Sequence, residues 1–194
     1  MFKKWTEIVD GVVKNLQDSI KDHPHNRIDT ITLLCAFKNL VKDQNGKYRG
    51  YWRGDPEWIW DFMIAEIDPD HEDEYGSYKK PILILESEWH LNIDSICYDF
   101  AKLLEGKCKW KVMSFRTNES KQLNLKNIRK TINSIIDGYK LLGKEEEYIL
   151  LCWDNKNCKL RCLWRKPKKH KDFKEALSIT YDKLGIEGKL SSTY

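Results

Sequence analysis

The sequence predicts an α/β protein, a mixed β-sheet flanked by helices. Three observations carry this. The run Pro81-Ile82-Leu83-Ile84-Leu85 is continuously apolar and too short for a helix, as a strand buried on both faces requires. Amphipathic helical segments lie on both sides of it in the chain. Further short apolar runs rich in aromatic and β-branched residues alternate with those helices.

The first helix is expected over residues 6–20, where Ile8, Val9, Val12, Val13, Leu16 and Ile20 share a face. Thr6 is its candidate N-cap, and His23-Pro24 stops it. Gly11 inside it weakens the helix. Residues 27–41 fit two readings. The stretch from Thr30 to Leu34 suits a strand, whereas Leu33, Leu34, Phe37, Leu40 and Val41 make a helical face. Asn45-Gly46 and Asp55-Pro56 are turn signals, so 47–53 and 58–67 read as strands, the second carrying Asp61. A polar, acidic connection at 68–77 precedes the buried strand at 81–88.

A helix over 94–105 follows, with Asp94 or Ser95 as cap and Gly106 at its end. A strand is expected at 110–115, a helix at 123–142, and a hairpin from 148–153 and 159–164. A last helix is expected at 171–184, ended by Gly185. The 194 residues suit a single domain, with a core at 6–115 and a helix-hairpin-helix extension at 120–194.

Hydrophobic residues make up 41% of the chain and charged residues 33%, which excludes a disordered chain. No apolar run is long enough to span a membrane, and no apolar leader follows Lys3-Lys4. The six cysteines then read as reduced thiols, and the chain as cytoplasmic. Cys152, Cys158 and Cys162 with His170 lack a CxxC pair, so no zinc is expected.

The chemistry concentrates where the buried strand runs into Glu86-Ser87-Glu88. Side chains alternate along a strand, so Glu86 and Glu88 share a face. Two carboxylates at the edge of an apolar core need a divalent cation, a basic partner or a raised pKa. Mg²⁺ or Mn²⁺ suits such oxygen donors, and the Ser87 carbonyl can add another. The competing reading is a strand that simply reaches water at Glu86. Asp61 is out of place among Trp58, Ile59, Trp60 and Phe62, unless its strand is an edge.

These residues resemble the PD-(D/E)XK, restriction-endonuclease-like superfamily of nucleases. In that superfamily, an acid on one strand and an acid-x-lysine on the next hold a metal. Asp61 and Glu86 match the two acids, and Glu88 stands where the lysine is usual, as in the BamHI-like Glu-Ser-Glu arrangement. Leu85-Glu86-Ser87-Glu88-Trp89 followed by Asp99-Phe100-Ala101-Lys102-Leu103-Leu104 is also similar to a group of bacterial proteins with such a core.

The resemblance implies a restriction-endonuclease-like fold and hydrolysis of phosphodiester bonds in DNA rather than RNA, in genome defence or repair. Asp61, Glu86 and the Ser87 carbonyl would hold Mg²⁺ or Mn²⁺. Glu88 would be a ligand or the general base, and Lys102 the lysine moved to the following helix. The bland alternative for Lys102 is a solvated helix face. Asp68 and Asp70 compete with Asp61 for the first-acid role. Glu88 in place of lysine motivates a second expectation, a catalytically degenerate module that binds nucleic acid or protein. Dimerisation, common among nucleases that cut both strands, leaves a homodimer open.

The net charge of +4 permits a polyanionic partner. Residues 156–171 hold eight cations and no acid. Lys159, Arg161, Arg165, Lys166, Lys168 and Lys169, with Arg49 and Arg53 nearer Asp61, are the candidate nucleic-acid contacts. The same run also reads as a solvated hairpin end.

Overall fold

The structure is a computed structural model, and it describes residues 2–22, 30–42, 46–52, 60–68, 78–118 and 123–186. Its elements in chain order are α1 (Trp5–Asp22), α2 (Thr30–Asn39), β1 (Tyr48–Trp52), β2 (Phe62–Ile67), β3 (Tyr78–Glu88), α3 (Ile93–Glu105), β4 (Trp110–Thr117), α4 (Leu125–Gly138), β5 (Glu147–Asp154), β6 (Lys159–Arg165) and β7 (Lys174–Thr180), followed by a short 3-10 helix at Asp182–Leu184. The seven strands form one sheet whose spatial order follows the sequence. β3, β4 and β5 are parallel, and the outer pairs on both sides are antiparallel.

Parallel neighbours need a crossover, and α3 and α4 supply the two that join β3 to β4 to β5. Their buried residues Ile96, Phe100, Leu103, Ile128, Ile132 and Ile136 pack with Ile84, Met113 and Leu150 on one face of the sheet. Leu83, Leu85, Val112, Ile149 and Leu151 alternate to the other face, where α1 and α2 cover them. The result is three layers, with two helices on each side of a mixed sheet. Among the described residues no helix is long and apolar enough to cross a membrane.

The ambiguous segment after α1 is a helix. Leu33, Leu34, Ala36 and Phe37 are buried on its inner face, a period that a strand cannot present. Gly11 lies where α1 meets the end of α2. A Cβ there would sit 2.5 Å from Leu40 Cδ2, so the residue that weakens α1 as a helix allows the close approach. At α3, Asn92 rather than Asp94 or Ser95 is the cap, and its side chain accepts a hydrogen bond from the Asp94 N–H.

The largest correction is at the C-terminal end of the chain. The helix expected at 171–184 is instead β7 and the 3-10 turn. β6 offers an open edge, and Leu177 and Ile179 alternate onto the α1 face with a period of two. Pairing with that edge outweighs the helix propensity of Glu175-Ala176-Leu177. The expected helix-hairpin-helix extension is therefore a helix and three strands, and these continue the same sheet.

Candidate active site

The candidate site lies at the C-terminal ends of the parallel strands, where open α/β sheets place their binding crevices. β2 begins at Phe62, paired with Leu85 of β3, so Asp61 falls beside Glu86. Asp61 is in the bend that leads into β2, not within a strand as expected. Its Oδ2 accepts a hydrogen bond of 2.9 Å from the Ser87 N–H, which ties the bend to the end of β3.

Glu86 is fully buried. It shares the α3 face with Ile84, and Lys102 reaches it from α3, with Nζ 2.7 Å from Oε2. Among the described residues no other side chain and no backbone group donates to the Glu86 oxygens. Burial pushes its carboxyl up to about 8, the Lys102 ammonium pulls against that shift, and the neighbouring Asp61 adds to it. Burial works against the charge of Lys102, but its bonds to Glu86 and Asp99 outweigh this and raise its pKa. An ammonium thus remains beside a carboxyl that burial holds near neutrality.

Asp99 completes the cluster. Its Oδ1 lies 2.9 Å from Lys102 Nζ, one helical turn away on α3. Sequence reasoning did not single it out, although Asp99-x-x-Lys102 is an i, i+3 pair legible in the sequence. Trp60 holds the arrangement in place, because its indole N–H donates to the Lys102 carbonyl at 3.1 Å. Tyr98 stands at the rim with 71% of its surface exposed and its ring 5.9 Å from Lys102 Nζ.

Glu88 shares the face of Glu86 by strand alternation, but its carboxylate is engaged elsewhere. Oε1 accepts from the His90 N–H at 2.6 Å and lies 2.9 Å from His90 Nδ1. Arg116 fixes the turn that follows, donating to the Trp89 carbonyl at 3.2 and 2.7 Å through Nε and Nη2. The side chain of Ser87 alternates to the other face, away from Glu86.

Asp68 follows the far end of β2 and is removed from Glu86 by the length of that strand, about 20 Å. It therefore does not compete with Asp61, and Asp70 lies outside the described residues. Among the described residues there is no group of three or more His, Cys, Asp or Glu side chains that could hold a metal ion. Two carboxylates converge here, and one of them is buried without a full set of donors. That unmet acceptor is one that a hard cation would satisfy. Cys152 and Cys162 pack on opposite faces of the sheet, so they cannot join one metal knuckle.

The basic run does not form one surface. β6 separates Lys159 and Arg161 from Lys166, Lys168 and Lys169 by roughly 20 Å. Lys159 pairs with Asp154 at the end of β5, on the edge of the sheet that holds Glu86. Arg161 faces Glu175 and Asp154. Arg165 is a correction: its side chain is 1% exposed, and it donates to the His170 carbonyl and Asn133 Oδ1 and pairs with Asp137. A guanidinium so engaged is a structural tie, not a phosphate contact. Lys166 pairs with Glu145 at 2.7 Å, also at the far end. Arg49 pairs with Ala65 in the sheet register, four residues from Asp61, and Arg53 lies outside the described residues.

No family model, no curated protein and no solved structure matches this chain.

Proposed function

We propose that the chain is a metal-dependent nuclease of the restriction-endonuclease-like fold, hydrolysing phosphodiester bonds in DNA in genome defence or repair. The observation that carries this is Glu86, a fully buried carboxyl beside Asp61 with a lysine at 2.7 Å and a further oxygen without a donor. A core that only had to be stable would not retain such a group. The order of elements from α1 to β4 and the migrated Lys102 agree with the same reading.

In this reading Asp61, Glu86 and the Ser87 carbonyl would hold Mg²⁺ or Mn²⁺, which when bound would acidify water and neutralise phosphate charge. Glu88 would take the proton of the attacking water once its carboxylate turns from His90 towards the other acids. The water oxygen bonds to phosphorus as the bond to the leaving oxygen breaks. Lys102 faces the charge that builds on the phosphate oxygens. Lys159, on the same edge of the sheet, contacts a neighbouring phosphate.

A second reading is a degenerate module of the same fold that binds nucleic acid or protein. The engagement of Glu88 by His90 favours it, because that carboxylate is drawn away from the other acids. Incubation with single- and double-stranded DNA and RNA, with Mg²⁺ or Mn²⁺, separates the two. The nuclease reading expects metal-dependent cleavage that Glu86→Ala abolishes. Salt-sensitive retention of nucleic acid without cleavage would favour the second reading.

A further inference from the structure

We infer that Lys102 is the built-in counter-cation of the carboxylate site, and that Asp99 is a positioning residue that takes Lys102 over when a divalent cation arrives. This rests on the proposed metal site. Lys102 Nζ bridges two carboxylates, 2.7 Å from Glu86 Oε2 and 2.9 Å from Asp99 Oδ1. A cation ligated by Glu86 must compete with that ammonium, since two positive charges on one carboxylate repel.

The structure offers Lys102 somewhere to go. Its side chain is partly exposed and sits on a flexible four-carbon stem. The backbone beneath it is fixed through the Trp60 indole, so the side chain can swing while α3 stays in place. Asp99 is more exposed than Glu86 and already holds the ammonium. Released from Glu86, Lys102 remains tethered at the site, available to a phosphate.

The consequence is that removing a positive charge improves metal binding while removing a negative charge from Asp99 impairs it, and most of the second effect acts through Lys102, the rest being the direct field of Asp99 on Glu86. The test is titration of the full chain with Mn²⁺, read by calorimetry and by the loss of the free-ion spin-resonance signal. Lys102→Met is expected to bind Mn²⁺ about tenfold more tightly than wild type, a modest charge-pair coupling. Lys102→Gln serves as a second variant, with urea unfolding to confirm that each folds. Asp99→Asn is expected to bind several-fold more weakly, and to lose most of that effect in the Lys102→Met background.

If Lys102→Met and Lys102→Gln bind Mn²⁺ no more tightly than a wild type that binds it, the inference falls and the metal site stands. An equal loss from Asp99→Asn with or without Lys102 would make Asp99 a direct ligand and overturn its positioning role. Failure of wild type and both Lys102 variants to bind Mn²⁺ would overturn the metal reading and this inference together.

Discussion

Two Lys–Glu pairs are buried on the same face of the sheet, both against α3, and they are built differently. Lys111 is completely buried, 2.9 Å from Glu146 Oε2. Its ammonium also reaches the Leu104 carbonyl and the Tyr148 hydroxyl, each at 3.4 Å, and that hydroxyl donates to Glu146 at 2.9 Å. In the other pair the carboxylate is the fully buried partner, Lys102 is its only donor among the described residues, and an oxygen is left over. The first network closes on itself and ties β4, β5 and α3 together. The second is left open towards the end of the sheet. Burial of charge is common to both; an unmet acceptor is what distinguishes the candidate site from a structural tie.

Lys111→Ala strands Glu146 and the Tyr148 hydroxyl beneath α3, with an expected loss of about 3–5 kcal/mol in urea unfolding. A loss below ~1 kcal/mol would mean that the network is not structural. Arg165→Ala is expected to cost about 1–2 kcal/mol, because Asn133 and the His170 carbonyl lose a donor while Asp137, 60% exposed, regains water; under the proposed function the salt dependence of DNA retention does not change. A flatter salt dependence would return Arg165 to the nucleic-acid surface.

Smaller effects sharpen the map. Asn92→Ala removes the cap of the helix that carries Lys102 and Asp99, at an expected cost of ~1 kcal/mol. If the proposed function holds, Lys159→Ala is expected to reduce the salt slope of DNA retention by about one, whereas Lys168→Ala and Lys169→Ala leave cleavage unchanged. Cleavage by the Lys168 and Lys169 variants that fell with that of Lys159→Ala would join the two ends of β6 into one track.

Much of this arrangement was legible in the sequence. The four-residue aliphatic run of β3 announced a central strand, and its abrupt end at Glu86 announced the acid pair. Lys102 was legible only through the resemblance, since a lysine on a helix face says nothing of what it reaches. The separation of the basic run was not legible. Eight cations in sixteen residues look continuous until a strand places them at two ends of a sheet. The burial of Arg165 depends on Asn133 and Asp137 of α4, about thirty positions away, and no local pattern carries that. β7 was missed because an edge strand is specified by its partner, and the signal in Ile179-Thr180 was weaker than the helical period before it.

The charge state of Glu86 separates an open site from a closed ion pair, so the most direct measurement is the stability of wild type and Glu86→Gln against pH. Glu86 titrates near 4.5 in the unfolded chain and at about 8 when folded. A raised carboxyl pKa gives stability that is fully present below pH 4.5 and is lost as pH rises through 8. Wild type should therefore lose about 2–4 kcal/mol relative to Glu86→Gln between pH 5 and 8.5, a range that allows for the opposing pull of Lys102. The variant should then be at least as stable as wild type at pH 8.5. A wild type that gains stability over the same range relative to Glu86→Gln would show Glu86 to be a satisfied ion pair like that of Lys111, and would contradict the account.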